Sequence, residues 1–80
     1  MDKSIYAAEH DRLCDLLRQI RIAAHLRQRE LSARLRKPQS FVSRYESGQR
    51  RLDLLELRQI CQTVGISLAE FVERFERSLP

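Results

Sequence analysis

The run QRELSARLRKPQSFVSRYESG at residues 28–48 constrains this chain more than any other stretch, because its spacing suits two short helices joined by a tight turn. Leu31 and Leu35 lie one turn apart, and small Ser32 beside them lets another helix come close. Pro38 cannot continue the first helix, pushes Lys37 toward extended backbone and is tolerated at the N-terminal edge of a new helix, so the turn falls near residues 36–38. In the second helix Val42 and Tyr45 are three apart and can face inward. Gln39, Ser40, Arg44 and Phe41 are then left to the outer or N-terminal face, which is polar and cationic apart from the phenyl ring. Gly48 offers the left-handed conformation in which helices commonly end, and Arg50 and Arg51 follow it.

The 80 residues carry a net charge of +4, unevenly distributed. Residues 1–26 hold four basic and four acidic side chains, residues 27–51 eight and two, and residues 52–80 three and five. Positive charge is therefore concentrated on the stretch that the apolar spacing marks as a helix pair, a footprint suited to a phosphate backbone. Taken alone, it would equally describe a solvated basic surface; its coincidence with the helix pair favours nucleic acid.

A chain of this length makes one small domain with a modest core and leaves no room for a separate effector domain. It has no apolar run long enough for a membrane span, and no basic, apolar and small pattern of a secretory signal at its start. Cys14 and Cys61 lack CxxC or zinc-finger spacing and suit small buried residues in a reducing cytoplasm. The sharper alternative is a metal site using His10 and Cys14, four apart on one helix face, with Cys61 and His25 added. That set has no signature spacing, so neither metal nor cofactor is expected. An enzyme is the weakest class, because the chain has no glycine-rich phosphate loop and no nucleophile with a matched histidine and acid.

No stretch alternates with a period of two, which predicts an all-helical chain. Helix 1 should start after Ser4 and end near Ala24, with Leu13, Leu16, Leu17 and Ile20 inward. Asp53 with Glu56 three residues later opens helix 4, Leu52 stapling onto Leu57, and Gly65 stops it after Val64. Ser67, Glu70 and an Ile66 to Phe71 staple repeat the device for helix 5, at residues 68–79. That helix carries a stripe of Leu68, Phe71, Val72, Phe75 and Leu79. Phe75 and Leu79 either pack on the start of helix 1 near Ile5 and Tyr6 or meet a second copy of the chain.

The central segment resembles the helix-turn-helix of the phage repressor and Cro family, the XRE-type regulators. Gln28, Glu30, Leu31, Leu35, Gln39, Ser40, Val42, Ser43, Arg44, Glu46 and Gly48 stand where that family's pattern expects such residues, and residues 13–72 can be laid on its five-helix domain. The resemblance implies a compact all-α, five-helix, lambda-repressor-like domain over residues 1–80, with its helix-turn-helix at 28–46 and double-stranded DNA as partner. It carries Gln39, Ser40 and Arg44 onto base-facing positions, where glutamine suits adenine and arginine suits guanine. Phe41 either touches a thymine methyl group or packs on helix 2. Gln28, Lys37, Ser43, Gln49, Arg50 and Arg51 become candidates for phosphate contact, which positions without specifying sequence. Arg21 and Glu46 match a family ion pair that fixes the second helix of the motif.

Together these expectations describe a sequence-specific transcriptional repressor acting in the cytoplasm as a homodimer on a palindromic operator, with Phe75 and Leu79 as a candidate dimer interface. The alternative is an antitoxin-type or restriction-modification controller, in which a toxin or other protein partner is coupled to operator binding. Three departures from the family pattern bear on stability: Arg36 at the usual turn glycine, His25 at the usual end of the first helix, and Arg27 at the usual Thr or Ser cap. A non-glycine residue at positive φ costs about 1 kcal/mol, and a lost N-cap about as much.

Overall fold

The computed structural model describes residues 5–80, which form five helices: α1 (Ile5–Ala23), α2 (Gln28–Arg34), α3 (Phe41–Glu46), α4 (Leu54–Val64) and α5 (Leu68–Ser78). No strand occurs among the described residues, and no helix is long and apolar enough to cross a membrane. Every helix contributes to one core: Leu17 from α1, Leu31 from α2, Val42 and Tyr45 from α3, Ile60 and Cys61 from α4 and Phe71 from α5 are essentially sealed. Each large apolar side chain so buried stabilises the fold by about 1.5–3 kcal/mol. Tyr45 packs edge-on against Phe41, and its buried hydroxyl finds no hydrogen-bond partner among the described residues.

Four helix ends close in the same way. After α1, α2, α3 and α4 the chain turns through one residue at positive φ, and the next N–H bonds five residues back: Leu26 to Arg21 O, Lys37 to Ser32 O, Gln49 to Arg44 O and Ile66 to Cys61 O. This is the Schellman closure, which satisfies carbonyls the helix itself cannot. The pivot is Gly48 (φ 84°) or Gly65 (φ 90°) at two of these ends, but His25 (φ 59°) and Arg36 (φ 56°) at the others.

Helix starts differ in quality. At α4 the Glu56 N–H donates to Asp53 Oδ1 at 2.7 Å and the Asp53 N–H to Glu56 Oε1 at 3.0 Å, the full reciprocal box. Arg50 also donates to both Glu56 oxygens, which holds that carboxyl below the usual carboxylate range. At α5 the box is halved: Ser67 Oγ accepts from the Glu70 N–H at 3.0 Å, while the Glu70 carboxylate is drawn outward to Arg74. α2 has the other half, Glu30 accepting from the Arg27 N–H at 2.9 Å, since a guanidinium has no acceptor to return.

α3 starts later than Pro38 suggests. The Phe41 N–H donates to Pro38 O at 2.9 Å, so Gln39 and Ser40 lie in a turn at the lip of the helix rather than in its first turn. Fully buried Ser32 does more than make room: its Oγ accepts from the Val42 N–H at 3.2 Å, satisfying a free donor of α3 from α2.

Candidate nucleic-acid interface

The orientation of α3 is held at its far end by Glu46. Arg21 of α1 donates to it through Nε at 2.7 Å and Nη2 at 3.1 Å, and Gln28 of α2 donates through Nε2 at 3.0 Å. Arg21 Nη1 donates in turn to Leu26 O at 2.8 Å. The paired side chains are only 10% and 4% exposed, so this is a buried, fully engaged pair that ties three helices together. Gln28 thus turns part of its amide inward, where a phosphate role had been expected, and keeps one N–H for other contacts.

Gln28, Gln39, Ser40 and Ser43 line one shallow cleft together with Arg29. Ser40 caps nothing with its hydroxyl. Arg44 lies one turn beyond Ser40, its N–H on Ser40 O at 3.0 Å, and its exposed guanidinium has no ion-pair partner among the described residues. The arrangement brings four expected residues to one surface and leaves Arg44 free beside them.

Phe41 does not belong to that surface. It is 5% exposed, packed on Tyr45 with ring centroids 5.4 Å apart, and the Arg50 guanidinium lies 4.9 Å from its ring centre. The contact with a thymine methyl group is therefore corrected to core packing: in a six-residue helix the ring is needed to close the inner face. The Lys37 ammonium stands 5.5 Å from the same ring. Arg50 spends its charge on Glu56 and on Arg51 O, and Arg51 is bonded to the Tyr6 hydroxyl and stacked on its ring. Of the residues expected to meet phosphate, Ser43 and Gln49 are exposed, whereas Lys37, Arg50 and Arg51 are engaged within the protein.

Sequence reasoning gave Arg29, Arg18 and Arg27 no part in DNA contact. The latter two line a second polar cleft that also contains Ser43 and Ser47. The signal for Arg27 and Arg29 was the charge of residues 27–51, which marks a region without ranking its members, whereas Arg18 lies in the charge-balanced segment before it.

Phe75 packs against the core, and Leu79 lines a groove with Ala8, Glu9 and Arg12 of α1. Of the partners expected for them, the Ile5 side chain lies outside the described residues, and Tyr6 shares a groove with Phe75. Both residues are half-buried on their own protomer, and the groove beside Leu79 is open. The large apolar side chains left most open are Leu54 (65%) and Leu55 (76%) at the start of α4.

His10 Nε2 stands 4.0 Å from Cys14 Sγ, but no group of three potential metal ligands occurs among the described residues. Both thiols are held protonated. Burial pushes Cys61 up to about 11, and burial with the nearby carboxylates of Asp11, Asp15 and Glu46 raises Cys14.

A family model described as Helix-turn-helix matches residues 17–71. The chain is 41% identical to a solved XRE-family like protein from Pseudomonas syringae pv. tomato str. DC3000, covering 95% of this chain and 93% of that one with a TM-score of 0.86. This chain belongs to the XRE family of helix-turn-helix proteins. As an XRE-family chain it has the family's DNA-binding architecture, with α2 and α3 as the helix-turn-helix. The clp gene regulator ClgR from C. glutamicum shares the fold, with a TM-score of 0.78 at 24% identity over 90% of this chain and 92% of that one. None of the curated proteins matches this XRE-family chain.

Proposed function

We propose that this chain is a sequence-specific transcriptional repressor that binds a palindromic operator in double-stranded DNA as a homodimer. The observation that carries this is the cleft: Gln39, Ser40 and Ser43 on one surface, Arg44 open beside them, and the whole helix clamped from behind by Arg21, Gln28 and Glu46. Short polar and cationic tips on a rigid support are what base edges in a major groove require. In this reading Gln39, Ser40 and Arg44 meet bases, Ser43, Gln49 and the spare N–H of Gln28 meet phosphate, and Arg18 and Arg27 add backbone charge. The protein acts by binding, without catalysis.

Selecting bound sequences from a random duplex pool tests the proposal, followed by fluorescence anisotropy on the selected and a scrambled duplex. Arg44→Ala should cost about 1–3 kcal/mol on the selected site and little on the scrambled one. An equal loss on both would remove Arg44 from base reading. No enrichment from the pool at low salt would overturn the function.

A further inference from the structure

We infer that Arg29 is a positioning residue that turns Gln39 into a donor-only reader, so that the base it meets is guanine rather than adenine. The inference rests on the DNA-binding function proposed above. It begins with the amide itself. The Arg29 Nη2 and Nε atoms lie 2.8 and 3.0 Å from one end of the Gln39 side-chain amide. An NH2 group there would face only donors, so the hydrogen-bond network places the carbonyl oxygen on the guanidinium and the NH2 group on the far side.

That oxygen has two lone pairs, and Arg29 fills both. Gln28, the neighbouring amide that could have shared the task, has its Nε2 on Glu46 instead. What remains free on Gln39 is two N–H donors. Two-bond recognition of adenine needs one donor and one acceptor from the amide, because adenine offers N7 as acceptor and its N6 amino group as donor. With its oxygen occupied, Gln39 would set donor against donor at N6. Guanine offers O6 and N7, two acceptors, and matches. The positive charge of Arg29 beside them adds to the same preference. Arg29 and Gln39 also line the same cleft as Ser40, so the reader and the group that sets its polarity sit at the proposed DNA surface.

The test compares duplex pools selected by the unaltered chain and by Gln39→Ala, Arg29→Met and Arg29→Lys. The position whose preference Gln39→Ala flattens is the one Gln39 reads. There the unaltered chain should favour guanine over adenine by about ten-fold, the worth of a good two-bond pair. Arg29→Met frees the oxygen and should move the preference at that position to adenine, with the other positions keeping their bases. Arg29→Lys, a single point donor that leaves a lone pair open, should narrow the ratio. Adenine already favoured by the unaltered chain, guanine retained in Arg29→Met, a loss spread over all positions, or no position flattened by Gln39→Ala would each overturn the inference. Failure of the unaltered chain to enrich any duplex would instead overturn the DNA-binding function on which it stands.

Discussion

At the scale of single residues, the four alike helix ends form an internal comparison. Gly48 and Gly65 adopt positive φ without a Cβ to crowd the carbonyl, whereas His25 and Arg36 hold the same geometry with one. The glycines are chosen for conformation rather than space: a Cβ on Gly65 would meet nothing within 4 Å, and one on Gly48 only His10 Cε1 at 3.8 Å. Arg36 is exposed and makes no ion pair among the described residues, so little is lost with its side chain. Arg36→Gly should therefore stabilise the fold by about 1 kcal/mol, less the added freedom of the unfolded chain, raising the melting temperature by a few degrees. Thermal unfolding followed by circular dichroism checks this. An unchanged or lower temperature would mean that the chain relieves the strain elsewhere.

Among the elements, the helices differ in how much of their placement is written locally. The starts of α4 and α5 were legible because Asp53 and Ser67 satisfy N–H groups three residues ahead, a chemistry visible in four consecutive letters. α3 was harder for the opposite reason: its start depends on a Pro38 carbonyl and on Ser32, ten residues upstream in another helix. The same shortness left the face of Phe41 open, and the Arg29 contact with Gln39 crosses the turn, where periodicity has no reach. Ser32 is where this matters energetically. Ser32→Ala leaves the buried Val42 N–H without its acceptor, a loss of about 1–3 kcal/mol. Ser32→Ala should lower stability by that amount in urea unfolding, and the Val42 amide should lose hydrogen-exchange protection more than Ile60 does. Equal loss at both amides would assign the effect to the core as a whole rather than to the α2–α3 contact.

For the molecule as a whole, the proposed palindromic operator raises the question of how so small a domain would fill two half-sites. Its largest dimension is 36 Å, and successive major grooves on one side of a duplex recur at about 34 Å, so two copies side by side can place one α3 in each. The apolar stripe of α5 offers Phe75 and Leu79 as a dimer face, and both are half-buried, Phe75 against the core and Leu79 beside an open groove. Leu54 and Leu55 are more exposed, adjacent and only a short loop beyond α3, where a second copy would meet the first close to the major groove. Two leucines covered by their partner's two would each contribute about 1.5–3 kcal/mol, enough to couple two half-sites although modest for a dimer free of DNA. Leu55→Glu should then leave affinity for an isolated half-site within about two-fold, because that residue does not line the cleft, while abolishing cooperative filling of the full palindrome. Gel-shift titrations on half-site and full-site duplexes separate the two effects. Persistence of cooperative filling in Leu55→Glu would place the dimer contact on another face.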